Sequence, residues 1–306
     1  MSLRSVNPYS SYQVLLDLQR TKDQMANLSE QITSGNRLNR LGNDPTASAL
    51  VLNFQNSIDK NEAYIKQANS AASFLQTTET ALTSATDSII RLLELGTQGA
   101  GNTSASGRTA LAPEVSGIRD TLLALANTQS QGKYIFAGTN TTTKPFELTP
   151  GPPPTWPLVY SGNSGDISLD TSSSTSVSTN IPGNMAFFDG AQGSNGDLFA
   201  QVTNLLTGLN TNDTAMIQGA VANLRNVVLT HMTTLVTDVG GRQASLMQQT
   251  DNLETYNLSL QEIQNSYAAV DYATAISDYT QAETSQQAAL SVLGKMNNFS
   301  LFNYLA

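Results

Sequence analysis

Two long stretches without glycine or proline, residues 46–95 and 242–293, constrain the fold more than any other feature. Each is several times the length of an average helix in a globular protein. A continuous helix of about 50 residues would reach roughly 75 Å, beyond the diameter of a compact domain of this chain length. The pattern therefore predicts a mainly α fold, an elongated rod of long coiled-coil-type helices contributed by both ends of the chain.

Apolar residues near both ends recur at steps of three and four, which is the spacing of a coiled-coil seam. A one-sided stripe needs a partner, so we expect these two stripes to pair with each other and to contact neighbouring subunits. The alternative is that the helices pack only within one monomeric bundle. The predicted subunit-interface residues are Val14, Leu18, Met25, Leu28 and Ile32 in the N-terminal stripe, and Ile276, Tyr279, Leu290 and Leu293 in the C-terminal stripe.

The segment TSGNRLNRLGNDPTASAL, residues 33–50, predicts the end of one helix and the start of another. Glycine disfavours a helix interior, and Asp44-Pro45 fits an N-cap followed by the first helical position. Arg37 and Arg40 lie in the linker between the two helices. They are expected to donate hydrogen bonds to nearby carbonyls or, alternatively, to make a specific subunit contact.

Seven of the ten prolines and the single tryptophan, Trp156, fall within residues 139–195. Clusters of β-forming residues between turn residues predict a small β-rich domain there, inserted at the distal end of the rod. A loop at residues 96–107 is expected to end the second helix before a shorter third one. The predicted division is a terminal helical polymerisation layer (1–43 with 270–306), a helical rod domain (44–138 with 196–269) and the β-rich insert (139–195).

The composition excludes several classes of function. The chain has no cysteine, and a net charge of -9 argues against nucleic acid or an anionic membrane as a partner. Neither a signal peptide nor a long apolar span is recognisable. His231 has no metal-ligand partners at a suitable spacing, and no nucleotide-binding, hydrolase or zinc-protease motif occurs. We therefore expect neither an enzyme nor a cofactor or metal.

Four segments resemble the bacterial flagellin-like family of axial proteins. LSEQITSGNRLNRLGNDPTASAL is similar to the stretch that joins the first two flagellin helices, and VDYATAISDYTQAETSQQAALSVLGKMN is similar to the C-terminal helix. QSQGKYIFAGTNTTTKPF and VGGRQASLMQQTDNLE are more similar to the junction-protein branch of that family, whose members connect hook and filament. The chain lacks the QFNGVKLL-type segment of filament flagellins.

This resemblance implies a structural subunit of the bacterial flagellum at the hook–filament junction, which polymerises helically through its terminal coiled-coil regions. It implies secretion by the flagellar type III pathway, without a cleaved signal peptide, to an extracellular position. The implied partners are a hook-side junction protein, filament flagellin, copies of itself in a ring, and an export chaperone. One alternative is a filament flagellin. Another is a secreted glycan-binding or enzymatic protein that acts through the insert, where Trp156 and Tyr160 would stack on a sugar.

Overall fold

The computed structural model describes residues 8–39, 42, 44–148, 158–171, 176–189 and 191–305. Arg40 and Trp156, both singled out above, lie outside the described residues. The described residues are predominantly helical, which confirms the mainly α prediction. The helices are α1 (Pro8–Ser34), α2 (Pro45–Ala100), α3 (Ala105–Ala126), α4 (Gly183–Phe188), α5 (Leu198–Thr211), α6 (Thr214–Asn223), α7 (Leu229–Ala268) and α8 (Tyr272–Leu305).

Six short strands pair as three antiparallel two-stranded sheets. They are β1 (Gln129–Ser130) with β2 (Lys133–Tyr134), β3 (Phe146–Leu148) with β4 (Leu158–Tyr160), and β5 (Ser168–Asp170) with β6 (Ser176–Ser178). The first hairpin turns at Gln131 and Gly132, which both have positive φ values, as a tight two-residue hairpin turn requires. This hairpin precedes residue 139, so β structure begins earlier than the predicted insert.

The chain divides into two compact units, which we call the terminal unit (Met1–Lys60 with Tyr256–Ala306) and the core unit (Asn61–Thr255). All the residues of the main buried hydrophobic cluster lie in the core unit. At its centre Phe136 and Phe146 pack on Phe187, with ring centroids 5.0 and 5.3 Å apart respectively. Such edge-to-face pairs add a specific geometry to the burial of apolar area.

The β-rich segment shares this core. Phe146, Phe187 and Phe188 belong to the same buried cluster as Leu82 of α2 and Leu205 of α5. Arg242 of α7 adds polar anchors, donating to the Ser178 hydroxyl at 2.9 Å and to the Asn180 carbonyl at 3.2 Å. The predicted three-part division stays a prediction, but residues 139–195 do not have a separate hydrophobic core among the described residues.

The second helix extends further than the sequence suggested. The prediction that a loop begins at Gly96 is wrong, because α2 continues to Ala100 and the break occupies residues 101–104. Gly96 and Gly99 instead allow α5 and α6 to approach closely. A Cβ atom at Gly96 would lie 2.5 Å from Val221 Cγ2, and one at Gly99 would lie 2.6 Å from Leu209 Cδ2.

The second breaker-free stretch is not one helix. It is divided between α7 and α8, with Ala269, Val270 and Asp271 between them. The predicted boundary at residue 270 falls at this break. At its other end α7 continues α6 through a single π-helical turn, Leu224–Val228, whose flanking residues keep right-handed helical dihedral angles.

Two singled-out side chains have structural contacts within the core unit. The His231 ring places Nε2 2.6 Å from the Met185 carbonyl oxygen and Nδ1 3.3 Å from Asp189 Oδ1, which ties α7 to the end of α4. The Tyr160 hydroxyl donates to the Phe136 carbonyl at 3.0 Å, and partial burial raises the pKa of this hydroxyl. Its ring centroid lies 5.0 Å from that of Phe146, and Tyr160 therefore packs against the main buried hydrophobic cluster.

Candidate assembly surface

Helices α1 and α8 pack on each other as an antiparallel pair. The break between α1 and α2 lies beside the break between α7 and α8. Since α1 ends at this point and α8 begins there, α1 and α8 run in opposite directions. Six half-buried positions of α1 follow steps of four and three, as a coiled-coil seam requires. They are Val14, Leu18, Thr21, Met25, Leu28 and Ile32, which include all five apolar residues of the predicted N-terminal stripe.

In the facing seam of α8, every second position is alanine. Its buried and half-buried positions also follow alternating steps of four and three, and are Ala275, Tyr279, Ala282, Gln286, Ala289 and Leu293. Small residues let two helices approach closely while large side chains from the partner fill the space between them. Tyr279 and Leu293 of the predicted C-terminal stripe lie in this seam.

Ile276 and Leu290 do not share the seam with Tyr279 and Leu293, so the prediction that all four lie on one stripe is wrong. Their side chains are 49% and 51% exposed. Each follows a seam alanine by one position, which rotates it by about 100° around the helix. They therefore form a second, outward apolar face that α1 does not cover, and their role as subunit-interface residues stays a prediction.

The terminal unit exposes an unusual amount of apolar surface. Of the eighteen large apolar side chains that are exposed among the described residues, thirteen belong to this unit. Isolated exposed apolar residues are ordinary, but a concentration of them marks an interaction surface. They are Tyr12, Leu15, Leu16, Leu50, Leu52, Tyr256, Leu258, Ile263, Tyr267, Tyr272, Ile276, Leu290 and Val292.

The same unit has few buried apolar residues to stabilise it. Among the described residues these are Ala47, Ile58, Leu260, Ala275 and Ala282, three of them alanines. Helices with so small a buried surface gain little stability from packing alone. Further burial against other molecules would supply what the isolated unit lacks.

The break between α1 and α2 is joined to the break between α7 and α8. Asn36 and Ala269 form an antiparallel β-bridge. Arg37 N donates to the Ala268 carbonyl at 2.7 Å, and Val270 N donates to the Gly35 carbonyl at 3.0 Å. We call this pairing of residues 35–37 with residues 268–270 the joint.

Arg37 contacts the joint with its side chain as well. Its Nη2 donates to the Tyr267 carbonyl at 3.1 Å, and Nη1 lies 3.4 Å from Asp44 Oδ2. The expected hydrogen bond to a nearby carbonyl is thus present, while the subunit contact proposed for Arg37 stays a prediction. The guanidinium remains 44% exposed, which leaves it accessible to a neighbour.

Two aspartates begin the helices that leave the joint. Asp44 Oδ1 accepts from Ala47 N at 3.0 Å, and Asp271 Oδ1 accepts from Ala273 N at 3.0 Å. The pKa of Asp44 is lowered chiefly by the hydrogen bond from Ala47, and that of Asp271 chiefly by the hydrogen bond from the Thr274 hydroxyl. Both contacts favour the ionised carboxylate, which also interacts well with a helix N-terminus.

The described residues contain no group of three or more His, Asp or Glu side chains positioned to hold a metal ion. None of the helices in that part of the chain is long and apolar enough to cross a membrane.

Sequence reasoning missed most of the exposed apolar residues. Tyr12, Leu15 and Leu16 flank Val14 in sequence, and Leu50 and Leu52 lie near the start of α2. The available signal was that apolar residues of these helices occur on more than one face. A helix that is apolar beyond one stripe requires more than one packing partner.

Comparison with known proteins identifies the two ends of the chain. The bacterial flagellin N-terminal helical region matches residues 7–141, and the bacterial flagellin C-terminal helical region matches residues 215–305. These segments together span about three quarters of the chain. They contain α1, α2 and α3 at one end, and α7 and α8 at the other.

Individual relatives agree with this match. The chain is 27% identical to flagellar hook-associated protein 3 of Salmonella typhimurium, over 90% of this chain and 91% of the relative. It is 31% identical to polar flagellin F of Vibrio parahaemolyticus, but over only 36% of this chain and 29% of the relative.

Among solved structures, the flagellar junction protein of Legionella pneumophila has a similar fold, with a TM-score of 0.55 and 18% identity. That similarity covers 73% of this chain and 100% of the Legionella chain. Both flagellin helical regions are present, the N-terminal one containing α1 and the C-terminal one containing α8. The chain therefore belongs to the bacterial flagellin-like protein family.

Proposed function

We propose that the protein is a structural subunit of the bacterial flagellum that forms the junction between hook and filament. The observation that carries the proposal is the surface of the terminal unit, which among the described residues has most of the exposed large apolar side chains and few of the buried ones. Such a surface is suited to permanent burial against neighbouring subunits. The similarity to flagellin-like structural proteins also supports a structural role and not a catalytic one.

The similarity to hook-associated protein 3 favours the junction over the filament. It extends over nine tenths of both chains, whereas the similarity to polar flagellin F is limited to about a third of this chain. A filament flagellin is the alternative. It would use the same terminal unit but would polymerise without a fixed number of subunits.

The glycan-binding alternative finds no support in Tyr160. Its ring packs on Phe146 and Phe188, and its hydroxyl oxygen lies 3.0 Å from the Phe136 carbonyl oxygen and 2.9 Å from that of Asn163. An aromatic side chain that stacks on a sugar has to present an open face, whereas these contacts occupy the ring from within the protein.

The proposed partners are those of a layer between two tubes. The exposed apolar side chains of α1 and α8 would contact copies of this chain in a ring, a hook-side junction protein on one side and filament flagellin on the other. Passage through the flagellar type III channel, an export chaperone and an extracellular position without a cleaved signal peptide belong to the same proposal.

The decisive test is electron microscopy of cells that lack this protein. We expect hooks without filaments, with flagellin released into the medium, and restoration of filaments by the wild-type chain. Normal filaments in the deletion strain would exclude a junction role. The purified chain, incubated above the concentration at which filament flagellin polymerises, should not form long filaments; long filaments would favour the flagellin alternative.

A further inference from the structure

We infer that the joint fixes the register of the antiparallel α1–α8 pair, because the seam between the two helices discriminates weakly between registers. In this register Ile32 faces Ala275 and Met25 faces Ala282, and the remaining layers follow at the same offset. The inference concerns the arrangement within one chain and holds whether or not the protein occupies the hook–filament junction.

The joint sets the offset between the two helices. Asn36 pairs with Ala269, and the flanking backbone hydrogen bonds leave only one antiparallel alignment for the residues next to them. Four residues before Asn36 lies Ile32, the last seam residue of α1, and six after Ala269 lies Ala275, the first seam residue of α8. From this first layer, each further seam residue towards the N-terminus of α1 faces the next seam residue towards the C-terminus of α8.

The six described layers are consistent with antiparallel coiled-coil geometry, in which the a positions of one helix face the d positions of the other. The α1 steps of four and three, read towards its N-terminus, match the α8 steps read towards its C-terminus. The layers are Ile32 with Ala275, Leu28 with Tyr279, Met25 with Ala282, Thr21 with Gln286, Leu18 with Ala289 and Val14 with Leu293.

Half of the layers supply no register information. Alternate α8 layers are Ala275, Ala282 and Ala289, which are identical and seven residues apart. A slip of one heptad, about 10 Å along the helix axis, would place Met25 against another alanine.

One of the six described layers is polar, Thr21 with Gln286, and buried polar pairs are a device by which coiled coils specify register. Here the Thr21 hydroxyl donates its single proton to the Asp17 carbonyl of its own helix at 2.9 Å, so it does not donate to Gln286. Gln286 is only half-buried, and a side chain of its length can turn its amide towards water in any register. This layer therefore opposes a slip only weakly.

Further contacts make the joint suited to this task. Gly35 has a φ of +72°, which favours glycine, and a Cβ atom there would lie 2.9 Å from the Tyr272 hydroxyl oxygen. The Arg37 side chain connects Tyr267 in α7 with Asp44 at the start of α2. The backbone pairing and these side chains together hold the end of α1 to the start of α8.

Engineered disulfides can measure the register, because the chain has no cysteine of its own. In the full-length chain, Met25→Cys with Ala282→Cys forms the in-register pair. Met25→Cys with Ala275→Cys, and Met25→Cys with Ala289→Cys, form the pairs for a slip in each direction. A disulfide requires Cβ atoms about 4 Å apart. A slip of one heptad would therefore prevent the disulfide of the in-register pair and allow that of one slipped pair.

With the joint intact, we expect the in-register pair to oxidise at least about tenfold more completely than either slipped pair, since the slipped thiols lie about 10 Å apart. Val270→Pro removes one backbone donor of the joint, and Arg37→Ala removes the side-chain contacts. Each should reduce this preference several-fold. Val270→Ala, which keeps the N–H group, and Gln286→Ala, which removes the polar layer, should both retain it.

Three results would overturn the inference. The first is a preference that survives unchanged in both Val270→Pro and Arg37→Ala, which would show that the seam alone specifies the register. The second is loss of the preference in Gln286→Ala, which would assign the register to the polar layer. The third is preferential oxidation of a slipped pair when the joint is intact.

One of these variants could fail to fold. If Val270→Pro loses the helical circular-dichroism signal altogether, Gly35→Ala decides the question, because a side chain at this φ of +72° strains the backbone of the joint and would lie 2.9 Å from the Tyr272 hydroxyl oxygen. Arg37→Ala keeps both backbone hydrogen bonds of the joint, so it measures the contribution of the guanidinium contacts alone.

Discussion

Replacing Leu290 by Asp should leave the isolated chain folded and abolish assembly. The Leu290 side chain is 51% exposed and lies outside the α1–α8 seam. A substitution at such a position usually changes the free energy of unfolding by no more than about 0.5 kcal/mol. We therefore expect the thermal midpoint of the purified variant to lie within about 2 °C of the wild-type value.

In the assembled flagellum, the same substitution would have a large free-energy cost. Burying the exposed half of a leucine against a neighbour contributes about 1 kcal/mol per subunit, whereas burying a carboxylate without a partner costs several. Cells that carry Leu290→Asp should therefore secrete the protein but fail to attach filaments. Electron microscopy and motility in soft agar measure this outcome.

Two control variants accompany Leu290→Asp. Leu246→Ala removes a side chain that is 1% exposed in the core unit and should cost about 2–5 kcal/mol, lowering the thermal midpoint by roughly 5–15 °C. Leu253, further along the same helix, is only half-buried and would be a less informative control. Met247→Asp introduces the same charge at a 65% exposed site of the core unit and should preserve motility. If Leu290→Asp destabilises the isolated chain as much as Leu246→Ala does, Leu290 is an ordinary core residue and the reasoning fails.

Gly96→Ala should destabilise the core unit by about 1–3 kcal/mol in urea unfolding, because its Cβ would lie 2.5 Å from Val221 Cγ2. Gly219→Ala, with open space around it, should stabilise α6 by up to about 1 kcal/mol. Equal effects at the two sites would contradict the close-packing explanation. Arg242→Ala should lower the free energy of unfolding by about 1–3 kcal/mol through loss of its hydrogen bonds to Ser178 and Asn180, and Arg20→Ala, at an exposed i,i+3 pair, should change it by less than about 0.5 kcal/mol. The pKa of Asp271 is lowered in the folded chain, so its cap stabilises α8 above the ordinary pKa of 3.8 and this contribution is lost as the pH falls through the lowered pKa. Helical circular dichroism should therefore show a smaller acid-induced loss in Asp271→Ala than in the wild type or in Asp278→Ala, and an identical loss in all three would remove the cap from the explanation.

Local sequence was sufficient wherever the determining interaction lies within one or two helical turns. The start of α2 follows from Asp44 and Pro45, because a capping side chain and a proline act on adjacent backbone groups. The α1 seam follows from its apolar spacing, and the linker after Ser34 follows from Gly35 with its positive φ. The resemblance of both ends to flagellin-like proteins is also carried by contiguous motifs, and it is confirmed.

Tertiary structure decided what depends on residues distant in sequence. Gly96 and Gly99 look like helix breakers, yet they remain inside α2 because Val221 and Leu209 pack against them and leave no room for a Cβ atom.

The break at Ala269 carries neither glycine nor proline, and it forms where the chain pairs with Asn36, more than two hundred residues earlier. The frame of the α8 seam was also decided by tertiary packing. Alanine is compatible with a buried or an exposed helix face, so only the position of α1 shows that Ala275 and Ala282 are buried while Ile276 and Leu290 face outward.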